Sequence, residues 1–128
     1  MQAVFVCGGK GTRLVPRHVS AKCLVSIGGM TLLARLARTI GGLHSSLRAP
    51  VVIVDAQDSE TPAAVAMLTP QAQVVRHPEP GGVANALLLA EAYLDECVVV
   101  ALGDLFLERR LRPVPADADA CVLARSAD

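Results

Sequence analysis

The sequence predicts an α/β domain, a mostly parallel sheet with helices on both faces. Mostly apolar runs recur at Met1–Cys7, Pro50–Asp55 and Cys97–Leu102, with a shorter mixed run at Ala72–Arg76. Near-continuous runs of this kind are what strands buried on both faces require. Segments of helical length, with their own start and stop signals, separate the runs. With right-handed crossovers, the loops that begin at Gly8, Asp55, His77 and Gly103 fall along one edge of the sheet, where ligands of such folds bind.

Each element has a local reason. Met1–Cys7 reads as the first strand, and residues 8–20, with Pro16 and His18, read as loop. Lys22–Ile27 reads as extended up to Gly28-Gly29. A helix is expected from Thr31, because Leu33, Leu36, Ala37 and Ile40 share one face while Arg35 and Arg38 point elsewhere. Gly41-Gly42 stops it. After the strand Pro50–Asp55, Asp58 or Ser59 can cap a helix that runs to Leu68 and stops near Pro70. Ala72–Arg76 is a third strand, and His77 to Gly82 a rigid turn. The next helix, Val83–Leu94, has little polar surface beyond Asn85 and Glu91, so it is expected to be well covered. Cys97–Leu102 is a buried strand ending at Gly103-Asp104, and Ala120–Ala124 reads as a last strand.

Composition narrows the function. A chain of 128 residues bounds one domain with one modest core. A hydrophobic content of 52% argues against disorder, and an aromatic content of 2% leaves the core to Val, Leu, Ile and Ala. The net charge of +0 and the lack of a basic stripe or stacking aromatics exclude nucleic-acid readout. Any basic site must be local, and the two lysines, Lys10 and Lys22, both lie in the opening segment. Cys7, Cys23, Cys97 and Cys121 are scattered, without a Cys-x-x-Cys pair. They read as small buried hydrophobes, not as a zinc site or disulfide framework. With no leader and no apolar run near the roughly 18 residues of a membrane span, a cytoplasmic protein without membrane partners is expected. His18 and His44 read as surface residues, and no Ser/His/Asp or Cys/His arrangement is readable.

The most informative stretch follows the first strand: Cys7-Gly8-Gly9-Lys10-Gly11-Thr12-Arg13-Leu14. Glycines allow a tight turn and close approach to a ligand. Successive N–H groups in such a turn make a concavity for anions, and Lys10 and Arg13 add positive charge. This is a phosphate-binding loop of neither common type. Gly11 follows Gly9-Lys10 where a Walker loop needs Ser or Thr, and Leu14 stands where a dinucleotide fingerprint needs its third glycine.

What remains, Gly-Gly-x-Gly-Thr-Arg-Leu followed by Pro16 and Lys22, resembles the signature of the sugar-1-phosphate nucleotidyltransferases. The resemblance implies a Rossmann-like sheet in which Gly8, Gly9, Gly11 and Thr12 hold a nucleoside triphosphate. It gives Arg13 and Lys22 the catalytic positions, Arg13 facing the departing pyrophosphate and Lys22 reaching the phosphates. Ala21 stands where that family usually has proline. Val100 to Asp104 resembles the family's strand closing in Gly-Asp, which implies that Asp104 holds Mg²⁺; the bland alternative is a turn or capping aspartate. In the family a second carboxylate lies further on, but Asp117 and Asp119 read as surface turn residues. His77-Pro78-Glu79-Pro80-Gly81-Gly82 resembles the base-recognition segment, with Gly82 approaching the base and His77 where glutamine is often found. An ordinary turn and a loop histidine are the bland alternatives.

The resemblance further implies nucleotidyl transfer to a sugar 1-phosphate, with Mg²⁺ and release of pyrophosphate. The partners are then a nucleoside triphosphate and a phosphorylated small-molecule acceptor, and a homo-oligomer is compatible. The family's domain is longer, so residues 1–128 read as a single domain cut short at its C-terminus, the acceptor-binding half short or missing. Two other readings stay open: a nucleotide-binding or regulatory module without turnover, and cytidylyl transfer to a non-sugar phosphate. An ordinary dinucleotide-binding fold is disfavoured by Leu14 and by the position of Asp55.

Overall fold

The computed structural model describes residues 1–8, 21–43, 47–78, 81–108, 111–115 and 117–121. In chain order these form β1 (Gln2–Val6), a 3-10 turn (Lys22–Leu24), β2 (Ser26–Ile27), β3 (Met30–Thr31), α1 (Leu32–Gly41) and β4 (Arg48–Asp55). Then follow α2 (Glu60–Leu68), β5 (Gln73–His77), α3 (Gly82–Ala90), a second 3-10 turn (Glu91–Tyr93) and β6 (Val98–Leu102). The main sheet has the order β5-β4-β1-β6, all neighbours parallel. From β1 the chain steps outward twice, through α1 to β4 and through α2 to β5. Then α3 carries it back across to the other side of β1. The reversal puts α1 and α2 on one face and α3 on the other, as right-handed crossovers demand.

Strand pleating explains the near-continuous apolar runs. Successive side chains point to opposite faces, and both faces are covered. Ala3, Phe5, Val52 and Val54 pack with Leu33, Leu36 and Ile40 of α1 and Val65 of α2. Val4, Val6, Val51, Ile53 and Val75 pack with Ala86 and Ala90 of α3. The Thr31 hydroxyl caps α1 by accepting from the Ala34 N–H at 3.2 Å. Asp58 caps α2, its Oδ1 accepting from the N–H groups of Glu60 at 3.0 Å and Thr61 at 2.9 Å. Leu36 is fully buried at the centre of the first layer. Leu36→Ala is expected to cost about 2–5 kcal/mol, since the cavity adds to the lost transfer energy. Urea unfolding should show a lower midpoint at unchanged slope.

Several expectations are corrected. Lys22–Ile27 is not one extended segment. The Ala21 and Lys22 carbonyls accept from the N–H groups of Leu24 and Val25, both at 3.1 Å, closing a 3-10 turn that buries Cys23. A short antiparallel hairpin follows. Its two turn residues, Gly28 and Gly29, have φ of 60° and 78°, the left-handed pair that a tight hairpin turn needs. The helix expected over Val83–Leu94 ends at Ala90 and is not well covered. Leu88 is 67% exposed, and Leu89 and Tyr93 are also exposed. The helix meets the sheet through its small residues, and an all-apolar composition leaves its outer side apolar too. On the same face, Val100 and Leu102 of β6 are exposed, β6 being the edge strand among the described residues. Cys97 and Cys121 are exposed, not buried. Ala120 and Cys121 form no strand, and residues 122–124 of that expected strand lie outside the described residues. Among the described residues, no helix is long and apolar enough to cross a membrane.

Candidate nucleotide site

The strand order reverses between β1 and β6, and in open α/β sheets ligands bind at the carboxyl ends of the strands at such a point. Backbone bonds hold β1 in place right up to the loop: the Cys7 N–H donates to the Ile53 carbonyl at 2.7 Å, and the Gly103 N–H to the Val6 carbonyl at 2.8 Å. Exposed Gly8 therefore leaves the sheet beside the Gly103-Asp104 turn, which the Leu105 N–H closes on the Leu102 carbonyl at 3.1 Å.

Gly103 has a geometric reason to be glycine. A Cβ there would fall 2.6 Å from Cys7 Sγ, 3.1 Å from Cys23 Cβ and 3.2 Å from Cys7 Cα. The backbone of the Gly-Asp turn thus lies directly on the end of β1 and on the 3-10 turn. Lys22 and Asp104 are each one residue from that point, so the fold brings them to the same mouth. Asp104 is exposed, and Lys22 is half-buried at the start of its turn. Ala21 is extended at φ −127°, well away from the roughly −65° that proline imposes, so here the turn forms without proline.

The segment after Asp104 is anchored from α1. The Arg35 guanidinium lies 5.2 Å from the Phe106 ring centroid and donates to the Ile27 carbonyl at 2.8 Å. It ties the β2–β3 hairpin to the segment that follows Asp104.

His77 and Gly82 lie farther along the same sheet edge. His77 ends β5 opposite Asp55, is 8% exposed, and its carbonyl accepts from the Ala56 N–H at 2.9 Å. Gly82 opens α3 with φ +83° and open space where a Cβ would sit. Both facts suit glycine and leave the backbone approachable. Gly9, Gly11, Thr12 and Arg13 lie outside the described residues. Among the described residues, no group of three or more His, Cys, Asp or Glu side chains is arranged to hold a metal ion.

One cluster carried no signal in the sequence. Cys7, Cys23 and Thr61 are buried together, with Cys23 Sγ 3.5 Å from Thr61 Oγ1 and the Thr61 hydroxyl donating to Asp58 Oδ2. The neighbouring Cys23 side chain, with burial, pushes the Cys7 thiol well up, whereas the neighbouring Cys7 holds the Cys23 thiol below its usual value. Nothing in the spacing of scattered cysteines points to such a pair.

A parallel α/β sheet with the Gly103-Asp104 turn at its switch point fits a nucleotidyltransferase-type domain. The chain belongs to the MobA-like NTP transferase domain family, whose sequence profile matches residues 3–125. Its fold is similar to that of a nucleotidyl transferase from Methanothermobacter thermautotroptrophicus, at 22% identity and TM-score 0.62, covering 80% of this chain and 50% of that one. It is also similar to HddC from Yersinia pseudotuberculosis, at 21% identity and TM-score 0.64, covering 80% and 47%. The chain thus spans about half the length of these two structures. No curated protein is similar enough to count as a relative.

Proposed function

We propose that this domain transfers a nucleotidyl group from a nucleoside triphosphate to a sugar 1-phosphate, forming a nucleoside diphosphate sugar and pyrophosphate. The observation that carries the reading is the close approach of Gly103 to β1, which brings Lys22 and Asp104 to the mouth where Gly8 leaves the sheet. Such a reaction needs no covalent intermediate. It needs triphosphate charge neutralised, the acceptor phosphate in line with the α-phosphorus, and the departing pyrophosphate stabilised. Gly8, Gly9, Gly11 and Thr12 supply loop contacts to the triphosphate. Arg13 and Lys22 bind its phosphate oxygens, and His77 and Gly82 bound the base.

Asp104 would hold Mg²⁺. Its exposed carboxylate suits that cation, which binds through one or two carboxylates together with substrate phosphates and water. When bound, the ion neutralises charge on the phosphates. Cytoplasmic location fits a reaction between soluble metabolites.

A panel of triphosphates and phosphorylated acceptors, assayed for pyrophosphate release with and without Mg²⁺, tests the reading. Release with one sugar 1-phosphate and one base is expected. Release with an alcohol phosphate and CTP alone would transfer the assignment to the cytidylyl reaction. The second reading, a nucleotide-binding module without turnover, is favoured by the lack, among the described residues, of three or more His, Cys, Asp or Glu side chains grouped to hold a metal ion. Its signature is a melting shift with triphosphate but no pyrophosphate. Ligand at about 100 times its dissociation constant should add roughly 2.7 kcal/mol.

A further inference from the structure

The Cys7 and Cys23 side chains pack into one core cluster beneath the Gly103-Asp104 turn, at the two ends of the segment that carries the glycine loop. Cys7 directly follows β1, and Cys23 is the central residue of the 3-10 turn. Both press on one point of backbone, the position where a Gly103 Cβ would lie 2.6 Å from Cys7 Sγ and 3.1 Å from Cys23 Cβ. The two thiols are unequal, Cys7 holding its proton more tightly and Cys23 less tightly than an ordinary cysteine, because each acts on the other. Thiol–disulfide chemistry uses that asymmetry: one sulfur attacks as thiolate and its neighbour resolves. Cys7 directly precedes exposed Gly8, so the pair lies near the surface at the end of β1.

We propose that Cys7 and Cys23 form a reversible intramolecular disulfide, made by a hydroperoxide or a small-molecule disulfide, that turns the triphosphate site off. With a hydroperoxide, the Cys23 thiolate attacks one peroxide oxygen and the O–O bond breaks. The departing oxygen takes up a proton and leaves as water or an alcohol. Cys7 then gives up its proton, its sulfur attacks the Cys23 sulfenic sulfur, and the second oxygen leaves as water. The thiols lose two electrons and the peroxide gains them. A dithiol reductant reverses the change by exchange.

The bond closes a ring around residues 8–22 and draws the 3-10 turn towards β1. Lys22 immediately precedes Cys23, so the cation of the candidate site moves with it. Misplacement of a positioning group by about 1 Å can cost about 10²-fold in activity. This consequence rests on the proposed function; the disulfide itself does not.

The test uses the full chain carrying Cys97→Ser and Cys121→Ser, which removes the two exposed thiols. The protein is treated with hydrogen peroxide or oxidised glutathione, alkylated and mapped by mass spectrometry. The expected result is a peptide containing Cys7 linked to one containing Cys23, with a raised melting temperature, both reversed by dithiothreitol. Recovery of the two cysteines as separate alkylated, glutathionylated or over-oxidised residues overturns the pair. Triphosphate affinity is then titrated in both forms and should fall at least about tenfold on oxidation. Cys23→Ala should abolish that response. A linked pair with unchanged affinity overturns the gating. A reduced chain that binds no triphosphate counts against the proposed function while leaving the linkage in place.

Discussion

Asp104→Asn should remove Mg²⁺-dependent pyrophosphate release and leave the domain folded. The side chain is exposed, so its replacement costs the core nothing. Asparagine keeps the shape and one oxygen but loses the charge that holds a hard divalent cation. A bound cation stabilises transition-state charge by several kcal/mol, so the rate should fall by at least about 10²-fold. Triphosphate binding measured without Mg²⁺ should hardly change, because the cations at the loop are untouched. A variant that keeps wild-type activity and metal dependence would return Asp104 to the bland reading, a turn residue. The melting curve separates this outcome from misfolding.

Gly103→Ala should act on both stability and the site. The new methyl would lie 2.6 Å from Cys7 Sγ and 3.2 Å from Cys7 Cα, closer than side-chain carbons ordinarily come. The thiol can turn aside, but the backbone of β1 is held by bonds to β4 and β6 and cannot. Overpacking of this kind costs about 1–3 kcal/mol. The turn carrying Asp104 must also move away from β1, so activity should fall more than stability predicts. Cys7→Ala in the same chain removes the nearer clash. It should restore part of the melting temperature but not all of it, because the methyl still crowds the backbone of residue 7. Full tolerance of Gly103→Ala would mean that the turn does not rest on β1.

The residues legible in the sequence are those whose local chemistry admits few structures. Near-continuous apolar runs at β1 and β4 mark strands covered twice, and the interspersed helices then leave little freedom of topology. Gly103-Asp104 is legible as a motif, but its reason, backbone resting on Cys7, belongs to tertiary structure. The β2–β3 hairpin is hidden when Gly28-Gly29 is taken as the end of an extended run, although paired glycines are a turn signal in their own right. The cover of α3 is not legible, because composition says how apolar a helix is and not what lies against it. Cys7 and Cys23 are separated by the whole loop, so only the packing of the 3-10 turn beneath the Gly103-Asp104 turn brings them together.

The proposed function requires the segment after β1, with Arg13 and Lys22, to grip a polyphosphate. Isothermal titration of a nucleoside triphosphate into the wild-type chain, Arg13→Ala and Lys22→Ala tests it most directly. Loss of a charge-assisted hydrogen bond is worth about 1.5–3 kcal/mol, so each variant should bind about 10- to 150-fold more weakly. Affinity for the nucleoside without phosphates should stay constant across all three chains. Equal triphosphate affinity in the wild type and both variants would contradict the account.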